Sequence, residues 1–593
     1  MTLRRLAALV ALALGVALAA APPASAHALL LRTEPGPQTT VKTPPSSVKL
    51  FFSEPVEVTF GAIRVFDVDG KRVDPGSFHR VGNGSEVDVP LRPLKDGTYT
   101  VTWRAVSADG HPVSGGFTFY IGNPSTISAV AIPSDQGAGR AVGWGFGAVR
   151  FAWFSALLVL IGAVVVRRWV WTPAVREAGL VTSEAASAFR RRFRQVLLGA
   201  WVALAVVGAV ALLFQATTAS GLSLLSAARP KILGEVLHTN YGRLWLAQMA
   251  LTAAIAVPVV ALAGAKLRWG VRPSTWVWLV LGLGVALAAD AGMNGHARTV
   301  AHPTVGVASI TAHLMAVAVW VGGLAVLVGV GGPAWRTLAS PERRALLRRL
   351  LPRFSRLAMA AVAVVVLTGV LNSYLELAHI SDLWRLTYGR VILAKIVLLG
   401  LALVLAARHR WVFPKRLAGP APAVAVAGVG PGAAKAEAAA DPDEADPVEA
   451  FERSSRWEAV LLGLVVAFTA GLVVLVPGRT IALAASGPVN QTARTGGYTV
   501  QLYIDPTAVG ANEVHVSFVT PSGLAAAEVA TVKVDLTQLG SPPATLAMRL
   551  ISPGHFVGDT TLPAPGRYDL SVVADTGTAT FHFQLRSSKG AHT

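Results

Sequence analysis

Apolar and polar residues alternate from His27 to about Gly122, in short runs such as Val48-Lys49-Leu50-Phe51-Phe52, Ala62-Ile63-Arg64-Val65-Phe66, Gly97 to Trp103 and Gly116 to Ile121. A period of two puts successive side chains on opposite faces of a strand. Asp69-Gly70, Asp74-Pro75-Gly76, Asn83-Gly84 and Asp96-Gly97 break the runs with turn chemistry. This spacing predicts an Ig-like β-sandwich over 27–122. After a linker at 123–144 the pattern changes to continuous apolar stretches near 146–166, 196–215, 243–264, 275–293, 307–330, 357–377, 389–407 and 458–476. Each is long enough to cross a bilayer. Seven spans fall in 145–418 and an eighth in 456–478. Residues 419–455 between them are Ala-, Pro- and Gly-rich and then acidic, and read as a disordered cytoplasmic linker. Alternation returns over 487–588, in runs such as Tyr498–Tyr503, Glu513–Val519, Leu546–Leu550 and Gly566–Val572, and predicts a second β-sandwich of six or seven strands. The expected fold class is therefore a multidomain membrane protein: a β-sandwich, an eight-helix transmembrane bundle and a C-terminal β-sandwich.

The bundle carries a sequence echo. Leu237-His238-Thr239-Asn240-Tyr241-Gly242-Arg243 before span three matches Arg385-Leu386-Thr387-Tyr388-Gly389-Arg390 before span seven. Phe193-Arg194 before span two matches Phe354-Ser355-Arg356 before span six. These matches predict a four-plus-four internal repeat with both halves inserted the same way.

The first residues change the picture. Arg4 and Arg5, the apolar run Leu6 to Ala21 and Ala24-Ser25-Ala26 form a secretory signal peptide over 1–26. Cleavage would make His27 the first residue, with a free α-amine beside its imidazole. In the precursor that nitrogen is an amide and cannot serve. The signal places the first domain outside. Arg167-Arg168, Arg190 to Arg192, Arg343-Arg344 with Arg348-Arg349, and Arg408 with Arg410 then mark the inside loops. Eight spans return the second β-domain to the outside of the plasma membrane. The chain is 53% hydrophobic and has a net charge of +19. Its arginine runs flank spans, which speaks for topology and against nucleic acid as a partner. With no cysteine among 593 residues, disulfides and thiolate metal sites are excluded. No Walker motif or Asp-Lys-Thr-Gly is present.

Metal chemistry must then come from histidine, methionine, carboxylates and the terminal amine. Asp109 and His111 lie between two expected strands, two residues apart and so on one side of an extended segment. With His27 they offer two imidazoles, one amine and one carboxylate, a set suited to tetragonal Cu(II). An Asp-Gly turn with an incidental histidine is the plain alternative. His79 lies in a turn-rich loop and reads as solvated. In the bundle, Met293, His296 and His302 at the end of span four and its loop, with His313 and Met315 in span five, form a candidate copper path. Asp290 and Asn294 lie beside them, and Glu235 and Glu376 precede span three and end span six. His238, His379, Met548 and His555 are further positions that could meet copper, with a structural or solvated role as the simpler reading. Paired histidines in a bundle can also hold haem, but no second histidine lies mid-span to pair with His313.

The N-terminal His-Ala-x-Leu, Phe52-Ser53-Glu54-Pro55-Val56, Trp103 to Pro112 and Gly115-Gly116-Phe117-Thr118-Phe119 closely resemble the CopC copper-binding proteins. The resemblance implies that His27, Asp109 and His111 bind Cu(II). It implies no Met-rich Cu(I) site, since no methionine falls between His27 and Gly122. Gly295-His296-Ala297, Ala312-His313-Leu314-Met315 through Leu324, Leu367-Thr368-Gly369 and Thr387-Tyr388-Gly389-Arg390 with Lys395 resemble the CopD membrane proteins. That family is associated with copper uptake or tolerance. Asp505-Pro506 and Gly566-Arg567-Tyr568 resemble, weakly, the YtkA/FixH-like domains. The expectation is a non-enzyme that captures Cu(II) outside and moves copper inward, taking copper itself, the lipid bilayer and an extracytoplasmic copper chaperone as partners. Three alternatives stay open: copper resistance by sequestration or export, a haem-containing metalloreductase, and a copper oxygenase built on a histidine brace.

Overall fold

The computed structural model describes residues 30–122, 140–264, 272–413, 447–472 and 489–585, apart from short breaks at 37–38, 53–54, 83, 108–111, 221–222, 296, 298–299, 301, 506, 508, 521–525, 527, 539, 553 and 576. The signal peptide lies outside the described residues, as do most of the 123–144 linker and 414–446. The chain divides into a helical unit, Gly143–Phe214 with Arg243–Leu475, and a unit holding both β-domains and Gln215–Gly242.

The first β-domain has eight strands: β1 Leu30–Glu34, β2 Thr40–Val41, β3 Ser47–Phe52, β4 Val56–Phe66, β5 His79–Val81, β6 Glu86–Pro90, β7 Gly97–Ser107 and β8 Pro112–Ile121. They form two sheets, β1-β3-β6-β5 and β2-β8-β7-β4. Val48, Leu50, Val87 and Val89 of one sheet share a core with Val101, Trp103, Phe117 and Phe119 of the other. The alternation of apolar positions is thus spent on one face of each sheet. His79, expected in a loop, opens the short edge strand β5, where it pairs with Asp88 and stays exposed.

The second β-domain has nine strands, more than the alternation predicted: β9 Val489–Thr495, β10 Tyr498–Asp505, β11 Gly510–Val519, β12 Val532–Gln538, β13 Ala544–Leu546, β14 Arg549–Ser552, β15 His555–Leu562, β16 Gly566–Ala574 and β17 Gly577–Leu585. The sheets are β14-β15-β11-β10-β9 and β13-β12-β16-β17, and they bury one common core. The run Leu546–Leu550, expected as a single strand, is broken at Ala547-Met548, where the chain passes from one sheet to the other.

Both β-domains are pinned by the same device. Tyr99 donates its hydroxyl proton to the Lys95 carbonyl at 2.9 Å and accepts from the Lys95 N–H at 3.2 Å. Tyr568 donates to the Ala564 carbonyl at 2.7 Å and accepts from the Ala564 N–H at 3.5 Å. Each tyrosine ring stacks on a phenylalanine with centroids 5.5 Å apart, Tyr99 on Phe119 and Tyr568 on Phe583. A tyrosine corner of this kind ties a strand to the chain that enters it.

Among the described residues eight helices are long and apolar enough to cross a membrane: α1 Val142–Glu177, α2 Glu184–Ser220, α3 Asn240–Leu262, α4 Pro273–Met293, α5 Pro303–Trp335, α6 Ser340–Glu376, α7 Thr387–Trp411 and α8 Val448–Leu472. Two corrections concern their ends. α8 starts within residues expected to be disordered linker, and α6 begins well before the apolar stretch at 357. In α8, Val448, Phe451, Ser455 and Glu458 recur at helical spacing and are all buried. Glu452 locks this first part by accepting from Trp335 Nε1 at 2.8 Å and pairing with Arg336. In α6, Leu346, Leu347, Leu350 and Leu351 make the buried face among exposed arginines. A search for unbroken apolar runs misses such amphipathic turns.

Helix α5 contributes to both apolar cores of the bundle, one shared chiefly with α1, α2 and α4, the other with α6, α7 and α8. It meets α1 backbone to backbone: a Cβ on Gly162 would strike Gly322 and Gly323, and one on Gly322 would strike the Leu158 carbonyl. Small residues permit such close helix crossings. A wide π-turn follows in each helix, Val166–Trp171 in α1 and Leu327–Gly331 in α5, with a further one at Ala318–Gly322. At the other echo, a Cβ on Gly242 would meet the Val236 carbonyl and Leu237, and one on Gly389 the Asp382 carbonyl and Leu383.

The corner tyrosines give a test. Tyr99→Phe and Tyr568→Phe each leave a backbone carbonyl without its donor, and should destabilise their own β-domain by about 1–3 kcal/mol. Hydrogen exchange of the purified protein should show the loss in the mutated domain alone.

Candidate metal centre

The described strands bracket the expected N-terminal ligands. β7 and β8 are antiparallel neighbours with Val106 opposite Pro112, and residues 108–111 join them. β1 starts opposite Phe52 at the end of β3, and β4 starts with Val56 opposite Ser107 at the end of β7. The first residue of β1, the last of β3, the first of β4 and the facing ends of β7 and β8 therefore lie at one end of the domain. Beneath it Phe52 and Trp103 pack edge to face, 5.3 Å between centroids. His27, Asp109, His111 and His296 themselves lie outside the described residues.

In the bundle, His313 of α5 is half-buried, and its Nδ1 lies 2.8 Å from Thr368 Oγ1 of α6. A hydroxyl has one proton, and Thr368 gives it to the Val364 carbonyl at 2.6 Å. With its proton there, Thr368 accepts from His313 Nδ1–H and the lone pair of the imidazole is on Nε2; a ring proton on Nε2 would make Thr368 the donor. Holding one ring nitrogen by a hydrogen bond fixes which nitrogen is free to ligate. Gly369 packs against the same ring. Lys395 of α7 lies within electrostatic reach of His313 and of Glu376 of α6, and Glu376 accepts the hydroxyl proton of Tyr388. Three helices thus bring His313, Thr368, Glu376, Tyr388 and Lys395 to one polar region. Sequence reading singled out only His313 as a ligand. The signal for the others was present: Tyr388 and Lys395 are seven residues apart and share one helix face.

The remaining expected path residues are spread out. His302 is exposed just ahead of α5, eleven residues and roughly 16 Å along the axis from His313. Met293 is exposed at the end of α4, while Met315 packs against the apolar core. Asp290 is buried one turn before Asn294, whose Nδ2 lies 3.5 Å away, and its Oδ1 has no partner. His238 and His379 are exposed at helix ends. Among the described residues no three His, Asp or Glu side chains stand close enough to hold one ion.

A second buried group was missed. His409 Nδ1 lies 2.7 Å from Glu458 Oε2, and Trp320 Nε1 donates to Glu458 Oε1 at 3.3 Å. This group lines a largely apolar cavity of about 540 Å³ between α5, α6, α7 and α8. His409 fell beyond the expected end of span seven and Glu458 at the edge of span eight, so neither read as an intramembrane charge.

In the second β-domain the two weak candidates separate. His555 stands beside His515, with His515 Nδ1 3.4 Å from His555 Nε2. Met548 abuts Gly558, which pairs with the core-facing Val514. The histidines sit on the opposite face, so Met548 is not their partner.

A β-domain ahead of eight apolar helices marks a multi-pass membrane protein with an appended β-domain. Residues 30–122 match the CopC domain, 141–302 the N-terminal domain of copper resistance protein D-like proteins, and 348–472 copper resistance protein D. The copper transport protein CutJ of Bacillus subtilis (strain 168) is 32% identical over 390 residues, covering 65% of this chain and 68% of CutJ. Copper resistance protein D of Pseudomonas syringae pv. tomato is 29% identical over 276 residues, 45% of this chain and 81% of its own. Copper resistance protein C of Escherichia coli is 33% identical over 115 residues, 18% and 90% respectively. The chain belongs to the copper transport and resistance family in which CopC and CopD domains are fused.

The His515–His555 pair gives a pH test. Burial drives both rings below the ordinary histidine value, His515 to about 3 with His555 adding repulsion, and His555 to about 4. The unfolded rings take up protons near pH 6.5, so this domain is most stable above that value and loses stability as pH falls toward 4. Each ring adds up to about 1.4 kcal/mol per pH unit. Hydrogen exchange should show β11 and β15 opening first as pH is lowered, and His515→Gln should flatten the dependence.

Proposed function

We propose that the protein captures Cu(II) outside the cell and passes copper inward through the helical bundle. His27, through its amine and imidazole, with Asp109 and His111, forms the capture site. The strand register supports this, because β1 starts, β7 ends and β8 starts at the same end of the domain. Both β-domains lie on the extracytoplasmic side, and a copper chaperone there is the donor. The C-terminal domain belongs with the YtkA/FixH-like domains. The bundle is a duplication: Gly162 and Gly323 each precede a π-turn by four residues, and Gly242 and Gly389 make the same close approach to a preceding carbonyl.

The observation that carries the transport reading is the His313–Thr368 hydrogen bond. It holds an imidazole in an apolar span with the Nε2 lone pair available to a passing copper ion. Glu376 and Lys395 lie within electrostatic reach of each other beside it. The names of the relatives include both transport and resistance, which makes direction the deciding question.

Copper flux into proteoliposomes should fall at least tenfold for His313→Ala. Thr368→Val, which keeps the volume and removes the acceptor, should reduce flux less. Unchanged flux in His313→Ala would end the transport reading. Cells lacking the gene should hold less copper; more copper would replace import by export or sequestration.

A further inference from the structure

His515 and His555 sit on neighbouring strands. In the β11–β15 register His515 lies opposite Val557 and Ser517 opposite His555. Both rings therefore project from one face, while Val514, Val516 and Phe556 fill the core from the other. Only 3% of His515 and 9% of His555 is exposed. Two buried imidazoles are unusual furniture for a strand face, since apolar side chains would pack there without needing partners. The core is closed without them, and the corner at Tyr568 lies on the other sheet.

We propose that this pair is a second copper site, at which one Cu(I) ion bridges His515 Nδ1 and His555 Nε2 in place of the proton they share. The His555 proton moves from Nε2 to Nδ1 of the same ring, so both ligands stay neutral imidazoles, no proton leaves, and the site gains the single positive charge of the ion. At metal–imidazole bonds of ~2.0 Å, the 3.4 Å between the nitrogens subtends about 115°. That angle fits a low-coordinate ion with a third position left for a ligand brought by the donor or acceptor of the copper. Glu513 Oε2, 3.5 Å from His515 Nε2, favours the ring proton on that nitrogen and turns the Nδ1 lone pair toward His555. This is the outer-shell arrangement that orients metal-bound histidines. Both rings are neutral at neutral pH, so binding needs only the move of the shared proton to the outer nitrogen of His555.

The charge of the ion follows from the donor count. Among the described residues no third His, Asp or Glu joins the pair. A buried divalent ion would need more donors and a balancing carboxylate, whereas Cu(I) is satisfied by few ligands and brings a single charge. The choice of copper rests on the copper-handling reading of the whole chain; the pairing of the nitrogens does not.

The test is an anaerobic Cu(I) titration of the full-length protein in detergent against bicinchoninate, with four chains: wild type, His27→Ala, His515→Gln and His555→Gln. Wild type and His27→Ala should bind one Cu(I) more per chain than either glutamine variant. Glutamine keeps a polar side chain in the space of the ring. If the variants disturb the domain, wild type alone still decides: saturating Cu(I) should slow amide exchange of β11 and β15 at least tenfold. Equal stoichiometry in all four chains, or unchanged exchange in wild type, overturns the proposal. Failure of the transport reading would show instead as unchanged flux in His313→Ala, and leaves these titrations as they are.

Discussion

An imidazole inside an apolar span has one N–H that must be given to something. In this bundle the acceptor is Thr368, whose own proton is already committed to the Val364 carbonyl. The consequence reaches beyond one bond. The ring of His313 is held in orientation, and α5 and α6 are held in register, because a shift of one residue would turn Thr368 away by roughly 100°. Since α5 belongs to both apolar cores of the bundle, that register is transmitted to every helix packed on it.

The other buried polar groups obey the same demand for partners. Glu376 takes the proton of Tyr388 and feels Lys395, and Glu458 is held between His409 and Trp320. In hydrocarbon there is no water to complete an unfinished set of hydrogen bonds. The β-domains meet the demand differently, by returning a tyrosine hydroxyl to the backbone four residues before it. That two domains of different strand order use one corner suggests how little is needed to close such a fold: a Gly-x-Tyr step and a phenylalanine for the ring to lie on.

What could be read from residues alone depended on how local the cause was. Alternation revealed β3, β7, β8, β10, β11, β16 and β17, because each spans several residues with one face in a core. It missed β1, β2, β5 and β9, which are edge or near-edge strands with little apolar content, and β15, whose Gly558-Asp559 step interrupts the pattern. Hydropathy found all eight helices but not the amphipathic turns that begin α6 and α8. His313 could be named as a ligand because a lone histidine in an apolar run is conspicuous. Thr368 could not be named as its partner, since a threonine in an apolar run is ordinary and the contact spans 55 residues. His409 with Glu458 and His515 with His555 were hidden for the same reason: each member is unremarkable until the fold sets it beside the other.

The backbone contact between α1 and α5 has one more implication. Gly162, Gly322 and Gly323 leave no room there for a side chain, so the two helices cannot slide past one another without lifting apart. They can, however, tilt about the point where they touch, as two crossed rods tilt about a pin. The π-turns that follow in each helix loosen the regular ladder just beyond that point. If the halves of the bundle rock to open first one side and then the other, the pin is where displacement is least, and His313, about two and a half turns away along α5, moves little.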